Sequence, residues 1–227
     1  MARTVDLATH AVRREAFMDA AEQLFRSRGY EDTSIQDVLD AVGASRGAFY
    51  HYFASKGELL EAVVDRMVTT VAAFATPIVE DPALDAPHKM RTMFGTITNW
   101  KLDRPDLMHA MLEAWISDEN ALMREHYRRR VAVVLVPLLT RIVEQGIREG
   151  SFEATSSEGT ARATVHVLLG LQDEATQLLV GARRGQVTFE QAWSVLAGYP
   201  AIFEHVAGAP AGSFPFVEQH TLREWFV

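Results

Sequence analysis

Apolar residues recur at helical spacing along almost the whole chain, and this period constrains the fold more than any other feature. Phe17, Ala21, Leu24 and Phe25 mark one face of a first helix, which Gly29 is suited to end. No segment alternates apolar and polar residues over enough positions for a sheet. The sequence therefore predicts an all-α protein.

The same period predicts the helices of the rest of the chain. We expect them near residues 87–101, 105–117, 120–149, 157–181 and 188–206, with Pro137 kinking the third and Pro200 bending the last. Prolines at positions 77, 82 and 87 are expected to lie in an acidic loop that separates two domains. A linker over 208–215 and a short terminal helix over 217–227 complete the predicted organisation.

Two short predicted helices follow the first one and are joined by a tight turn. Thr33 and Gln36 have the spacing of a capping box, and apolar residues at positions 35, 38, 39 and 42 follow at helical spacing. Gly43 allows the chain to reverse, and Ser45 can cap the next helix. Two helices separated by about four residues, with a glycine in the turn, are typical of a helix-turn-helix.

The second of these helices carries side chains suited to the major groove of DNA. Arg46 is a long donor that can bind guanine O6 and N7 together, and its small neighbours Ser45 and Gly47 allow a close approach. Other residues on or near the two helices fall where side chains would meet phosphate oxygens. The residues predicted to contact DNA are Thr33, Ser34, Ser45, Arg46, Gly47, Tyr50, His51, Tyr52 and Lys56.

The charge of the chain argues against binding by bulk attraction to DNA. The sequence has 22 Lys and Arg against 30 Asp and Glu, a formal net charge of −8. Residues 1–60 also carry more acidic than basic side chains. Because a general polyelectrolyte binder shows a basic excess, a helix-turn-helix in this chain has to depend on a few well-placed cations.

The segment around this motif resembles the TetR family of bacterial one-component regulators, with near-continuous similarity over roughly residues 11–64. The matching residues are Ala20-Ala21-x-x-Leu24-Phe25-x-x-x-Gly29-Tyr30, then Thr33-x-x-x-x-Val38-x-x-Ala41-Val42-Gly43-Ala44-Ser45-x-Gly47-x-Phe49-Tyr50-x-Tyr52-Phe53, and Ser55-Lys56-x-x-Leu59. The resemblance implies a homodimer that binds a palindromic DNA operator and is released by a small-molecule effector. It also implies that Thr33, Ser45, Arg46, Gly47, Tyr50, Tyr52 and Lys56 fall on the family's DNA-contacting positions.

We therefore expect an N-terminal three-helix DNA-binding domain joined to a larger C-terminal helical domain for ligand binding and dimerisation. The predicted division is an arm over 1–10, the DNA-binding domain over 11–56, the helical domain over 57–207, and a linker with a possible short helix over 208–227. Pairing of the helices near 157–181 and 188–206 across a two-fold axis would form the dimer. Ligand in the central helices is expected to pull on the helix that begins at Ser55.

The C-terminal part also contains a set of polar and soft apolar residues that can line a ligand pocket. His109 stands among methionines and tryptophan, and His166 is expected to be buried by its aliphatic neighbours. Ordinary core packing is the alternative for each of these residues. The candidates are Met93, Trp100, Met108, His109, Met111, Trp115, Tyr127 and His166.

Other classes of protein lack support in the sequence. The chain has no cysteine, no signal-peptide pattern, and apolar runs far shorter than the ~20 residues that span a bilayer, so we expect a cytoplasmic protein without a membrane partner. No catalytic, metal or cofactor motif occurs, so we expect no enzyme, metal site or cofactor. A helical lipid- or drug-binding protein that ignores DNA is the remaining alternative, and salt-dependent DNA affinity distinguishes the two.

Overall fold

The computed structural model describes residues 7–116, 120–214 and 218–226 of the protein. Every regular element in these ranges is helical, which confirms the all-α prediction. The helices are α1 (Leu7–Arg28), α2 (Ile35–Val42), α3 (Arg46–Tyr52), α4 (Lys56–Glu80), α5 (Ala86–Leu102), α6 (Pro105–Ile116), α7 (Ala121–Glu149), α8 (Ser157–Arg183), α9 (Phe189–Leu196), α10 (Tyr199–Ala207) and α11 (Gln219–Arg223), followed by a 3-10 turn at Glu224–Phe226.

The helices group into two units. Unit 1 comprises Met1–Met67 and Arg104–Tyr127, and unit 2 comprises Val68–Asp103 and Arg128–Val227. The boundary predicted after residue 56 falls inside unit 1, which also takes in α6. Helix α1 begins at Leu7, within the segment predicted as an arm.

Aromatic rings form the centre of unit 1. Phe17 of α1 is fully buried and lies 5.7 Å from the ring of Phe49 and 6.2 Å from the ring of Phe53. Burial of each such ring contributes about 1.5–3 kcal/mol. Because α3 has only seven residues, too few for a stable isolated helix, this packing is what holds it in place.

An arginine joins α4 to α1 in the same unit. The Arg66 guanidinium donates hydrogen bonds to Glu15 (3.0 Å), Asp19 (2.6 Å) and Glu22 (2.7 Å), which lie on one face of α1. Burial acts to lower the pKa of Arg66, but the bonds to Asp19, Glu15 and Glu22 outweigh it and leave the pKa raised. Three carboxylates of α1 thus fix the side of α4 that faces them.

The prediction of an acidic loop from Pro77 onward was wrong, because α4 continues through Pro77 to Glu80. A proline removes one N–H from the helix but does not prevent its last turn from forming when other groups satisfy the ends. Lys89 supplies such a group: its buried ammonium donates to the carbonyl oxygen of Val79 (2.8 Å) and to Gln145 (2.7 Å). Pro82 lies between α4 and α5, as expected for a loop, whereas Pro87 lies in the first turn of α5.

The helix expected over 188–206 is two helices rather than one bent helix. Helix α9 ends at Leu196 and α10 begins at Tyr199, with Pro200 in the first turn of α10. Since the fixed backbone of proline suits a first turn and its missing N–H cannot bond to the carbonyl of Leu196, the proline starts a helix here.

The segment predicted as a linker packs into unit 2 over its described residues. Phe214 is buried, and its ring lies 5.0 Å from Phe94 and 5.3 Å from Phe203. Arg91 donates a hydrogen bond to the carbonyl oxygen of Gly212 (2.9 Å). These contacts dock the end of this segment on the helices of that unit, with Phe214 in the core, while residues 215–217 lie outside the described ranges.

The C-terminal segment docks on α9. The Arg223 guanidinium lies 4.1 Å from the centre of the Phe189 ring and forms an ion pair with Glu190 (3.1 Å). The Phe226 ring lies 5.5 Å from the same phenylalanine. The short terminal helix predicted from the sequence therefore forms as α11 and is held by an aromatic and an ionic contact.

Among the described helices, α4 has the length and mean hydropathy of a membrane-spanning segment, which the sequence analysis did not anticipate. The buried core helix of a soluble protein can meet the same criterion, and Leu59, Leu60 and Val63 of α4 are buried inside the protein. This similarity is weak evidence for a membrane span.

Gly208 ends α10 in a way that other residues cannot reproduce. Its φ is +59°, and a Cβ at this position would lie 2.4 Å from the carbonyl oxygen of Glu153. We expect Gly208→Ala to lower the free energy of unfolding by about 3 kcal/mol or more, measured by urea denaturation. Gly212→Ala is the matched control, since Gly212 has a φ of +81° but no heavy atom within 4 Å of its added Cβ. Equal losses in the two variants would contradict the steric account.

Candidate nucleic-acid interface

Helix α2 starts at a capping box that lies one residue later than predicted. Ser34 is the N-cap, and its hydroxyl oxygen accepts a hydrogen bond from the Asp37 N–H (3.2 Å). The Asp37 carboxylate in turn accepts from the Ser34 N–H (2.8 Å). The predicted pair of Thr33 and Gln36 was therefore wrong, because aspartate can take the place of glutamate in this motif when the cap is Ser34.

The turn after α2 has the geometry expected of a helix-turn-helix. Gly43 adopts a φ of +65°, the left-handed conformation that favours glycine at a helix end. The Ala44 N–H then bonds to the Leu39 carbonyl oxygen (3.0 Å). Ser45 caps α3 by accepting a hydrogen bond from the Ala48 N–H (3.3 Å). The roles predicted for Gly43 and Ser45 in forming this turn are confirmed.

One face of α3 is left open by this packing. Ser45, Arg46, Gly47, Tyr50 and His51 are exposed, with 47% of Tyr50 accessible. A Cβ added to Gly47 would meet no atom within 4 Å, so packing within the described residues does not require glycine there. The guanidinium carbon of Arg46 lies 5.9 Å from the centre of the Tyr50 ring. The exposed residues are those predicted to contact DNA.

Two of the predicted DNA contacts are engaged inside the protein instead. Thr33 is buried, and its hydroxyl donates to the carbonyl oxygen of Gly29 (2.7 Å). The ammonium of Lys56 donates to the carbonyl oxygens of Tyr30 (2.9 Å) and Thr33 (3.1 Å), and lies 4.1 Å from the centre of the Tyr30 ring. In this structure both side chains hold the turn between α1 and α2.

The first turn of α2 also carries a perturbed carboxylate. The hydrogen bond from the Ser34 hydroxyl lowers the pKa of Asp37, the Ser34 N–H lowers it further, and Arg28 adds an ion pair at 2.8 Å. An anion at a helix N-terminus also interacts favourably with the helix dipole. Asp37 therefore stays ionised to lower pH than an ordinary aspartate and holds the start of α2.

His10 is a candidate functional residue that the sequence analysis missed. Its ring lies 4.5 Å from that of Tyr52, which is half-buried, and 5.4 Å from that of His51. The prediction placed position 10 in an arm, whereas α1 begins before it. The spacing of His10 and Phe17, two turns apart on one helix face, was the available signal.

The candidate ligand-binding residues are divided between the two units. Met108, His109 and Trp115 of α6 belong to unit 1 with Tyr127, whose ring lies 4.8 Å from that of Trp115. Met93 and Trp100 belong to unit 2 with His166, and the side chain of Met111 lies outside the described part of the structure. The prediction that His166 is buried was wrong, since this side chain is exposed on α8. The aliphatic residues near it, such as Val165 and Leu169, are buried and do not cover it.

Comparisons with known proteins agree with this geometry. The family described as bacterial regulatory proteins, tetR family, matches residues 17–63. An uncharacterized HTH-type transcriptional regulator of Lactococcus lactis is 46% identical over 55 residues, which are 24% of this chain and 28% of that protein. The HTH-type transcriptional repressor KstR2 of Rhodococcus jostii is 24% identical over 152 residues, 66% of this chain and 72% of that repressor.

Solved structures share the fold over most of the chain. A TetR transcription regulator from Haloarcula marismortui superposes with a TM-score of 0.63 at 22% identity, covering 87% of this chain and 97% of that one. FadR from Bacillus subtilis, solved in complex with stearoyl-CoA, gives a TM-score of 0.60 at 15% identity, with 85% and 97% covered. At these identities the likeness shows the fold alone.

The capped α2, the glycine turn and the open face of α3 define a helix-turn-helix DNA-binding protein. The family described as bacterial regulatory proteins, tetR family, matches these same residues, so the helix-turn-helix segment over residues 17–63 is a domain of that family. Regulators of this family bind DNA and are not enzymes, in agreement with the class predicted from the sequence.

Asp37 makes the stability of the reading head, which comprises helices α1 to α3 (residues 7–52), depend on pH. Because its pKa is lowered in the folded state, it contributes stability above the pKa of an unfolded aspartate, and this contribution is lost as pH falls through the folded value. Between about pH 5 and about pH 2, we expect the free energy of unfolding to fall less in Asp37→Asn than in wild type, as measured by chemical denaturation. Asp32→Asn is the matched control, at an exposed aspartate outside the capping box. The same pH profile in wild type and Asp37→Asn would refute this role.

A substitution of Lys56 distinguishes two roles for this residue, a structural role inside the protein and a contact with a DNA phosphate. If it stays on the carbonyl oxygens of Tyr30 and Thr33, Lys56→Ala lowers the free energy of unfolding by about 1–3 kcal/mol and leaves the salt dependence of DNA affinity unchanged. Loss of a phosphate contact would instead reduce the slope of log affinity against log salt by about 0.9. Arg26→Ala, which removes an exposed cation of α1, is the control for the change in net charge.

Proposed function

We propose that this protein is a repressor that binds a palindromic operator as a homodimer and is released by a small, largely apolar molecule. The observation that carries the proposal is the exposed face of α3, where Arg46, Gly47 and Tyr50 are presented by a helix fixed from behind by Phe49. A recognition helix needs this division, with one face buried to fix its orientation and the other open to the groove.

Arg46 is the residue that we assign to base recognition. Arg46 is the one long basic side chain among the seven residues of α3. It directly follows the N-cap, at the end of a recognition helix that contacts base edges. A guanidinium can bind guanine O6 and N7 together, which gives one base position its preference. Gly47 beside it lets the helix backbone approach the groove without a side chain in between.

Helices α8 and α10, which pack against each other in unit 2, are proposed to form the dimer. The support is that they leave apolar or small residues open to solvent: Ile202 of α10 is 46% exposed, and Ala163 and Gly170 of α8 are exposed. Two copies of this pair would form a four-helix interface. The two-fold axis would then set two α3 helices about 34–36 Å apart, or a multiple of it, to match successive major grooves.

Release by a small molecule is supported by the position of α6. This helix carries Met108 and His109, two of the candidate ligand-binding residues, and packs against α1 of the same unit. FadR from Bacillus subtilis, a neighbour in fold, was solved in complex with stearoyl-CoA, which supports the proposal of an apolar ligand. A ligand that favours one position of α6 or α4 would shift α1 and the reading helix α3, and so change DNA affinity. We place this activity in the cytoplasm, where a bacterial regulator meets its DNA.

Selection of bound duplexes from a random DNA library tests the proposal. We expect a palindromic sequence with affinity that falls as salt rises. Arg46→Ala should lower affinity for the selected duplex by about 1–3 kcal/mol and relax one base position. Gly47→Ala should fold at least as stably as wild type, since alanine favours a helix by about 1 kcal/mol, yet bind the duplex more weakly.

Arg184→Ala is the matched control for Arg46→Ala, since Arg184 is exposed in unit 2, outside the helix-turn-helix. An unchanged base preference in Arg46→Ala would contradict the assignment of base recognition. A wild-type chain that ignored duplex DNA at low salt would contradict the proposed function and favour a helical ligand-binding protein.

A further inference from the structure

Two histidines meet at the C-terminal end of the reading helix. His51 follows Gly47 by four residues, so it lies on the same face of α3, roughly 6 Å further along the helix axis. His10 reaches this end from α1, with its ring 5.4 Å from that of His51. His51 is exposed and His10 is half-buried. The pair therefore stands beside the exposed face of α3.

Tyr52 fixes His10 in this position. The His10 ring lies 4.5 Å from the Tyr52 ring at a tilt of 49°, and Tyr52 lies 5.7 Å from the buried ring of Phe17. A chain of ring contacts thus joins the imidazole of His10 to the core that holds α3. His10 belongs to the reading head and moves with it.

Among the residues that the structure describes, the charged groups on the surrounding helices give the pair no acidic partner. On α1, Arg13 and Arg14 follow one turn after His10, and the Arg14 guanidinium lies 5.2 Å from the centre of the Phe53 ring. Within the described residues, no carboxylate lies within 4.0 Å of a ring nitrogen of His10 or His51.

Most acidic side chains of the surrounding helices have other partners. Asp37 of α2 is bound to Ser34 and Arg28, and Asp40 accepts a hydrogen bond from Gln36. On the other helices, Arg46 of α3 and Asp106 of α6 are exposed, and Glu58 of α4 accepts a bond from the Ala54 N–H (2.6 Å). The further acids of α1 and α4 also have partners: Glu15, Asp19 and Glu22 bind Arg66, and Glu61 and Asp65 lie against His126. A positive charge on the two imidazoles would have no fixed counter-charge in the described part of the protein.

We propose that His10 and His51 form a phosphate contact whose charge, and with it the affinity for DNA, rises as the pH falls. This inference rests on the proposed function, since it concerns the same reading head. Histidine is the side chain that ordinarily gains its charge between about pH 5 and about pH 8. Two imidazolium rings at this separation repel each other, and a DNA phosphate supplies the negative charge that offsets the repulsion. DNA binding therefore takes up protons at this site.

The position of the pair favours phosphate over a base edge. In a helix-turn-helix the N-terminal residues of the recognition helix meet the bases, while its flanks face the backbone of the duplex. An acidic protein with net charge −8 gains most from cations at such a flank. Protonation then adjusts affinity for all sequences alike and leaves base preference with Arg46.

The test is a titration of the full-length protein with a duplex recovered by library selection, at about pH 6 and about pH 8 and fixed ionic strength. We expect wild-type affinity to be about fivefold or more higher at the lower pH. The double variant His10→Gln with His51→Gln should show less than about a twofold change. His220→Gln, at an exposed histidine of α11, is the matched control and should keep the wild-type response.

A permanently charged variant guards the test against a folding defect. His10→Arg should bind at about pH 8 more tightly than wild type and respond less to pH, which a disrupted reading head would not do. The slope of log affinity against log salt should be steeper at the lower pH by about 0.9 for each imidazolium that meets a phosphate. This steepening should disappear in the double variant.

Two failures are distinguishable in this design. If wild type binds the selected duplex equally well at both pH values, or if the double variant keeps the full pH response, the histidine contact is overturned and the proposed DNA-binding function stands. If wild type binds no duplex at either pH, the proposed function itself fails, and the histidine contact fails with it.

Discussion

The packing of Phe17 against Phe49 and Phe53 is the contact on which the reading head depends. Helix α3 is too short to be stable by itself, so its orientation is set by the packing of Phe49 and Phe53 against Phe17 of α1. Burial of one face of α3 leaves the other face exposed. Because Gly47 and the N-cap Ser45 have small side chains, the helix backbone on the exposed face can come close to a neighbouring surface. A hydrophobic contact on one side of seven residues thus determines which side chains are available on the other.

The polar contacts of unit 1 explain how an acidic chain can carry a DNA-binding surface. Arg66 and Arg28 are ion-paired with carboxylates, and Lys56 is bound to backbone carbonyl oxygens. These cations stabilise the three-helix head, while Arg46 on α3 is exposed beside Tyr50. Because affinity then depends on a few placed groups, the neighbouring imidazoles of His10 and His51 become significant for a protein of net charge −8.

Local signals in the sequence predicted most of the fold, and contacts between distant residues account for the rest. Gly43 and Ser45 act within a few residues of their own positions, so the turn could be predicted from residue type and spacing. Lys56 binds the carbonyl oxygen of Tyr30, 26 positions earlier, and spacing along the chain carries no trace of that partner. The predictions of a loop at Pro77 and of a linker over residues 208–215 were wrong for the same reason, because contacts with distant residues outweigh local preference there. The face of α3 that is exposed was predictable; which of its neighbours are engaged internally was not.

Amide hydrogen exchange of the full-length protein, with and without a selected duplex, tests most directly whether α3 is the element that enters DNA. The N–H groups of Arg46 and Gly47 lie in the first turn of α3, where intrahelical partners are lacking, so they exchange rapidly in the free protein. If α3 enters DNA, a bound duplex slows exchange at these amides and along the rest of the exposed face of α3, while the amides of α9, in unit 2, are unchanged. Protection confined to unit 2, with unaltered exchange at Arg46 and Gly47, would contradict entry of α3 into DNA.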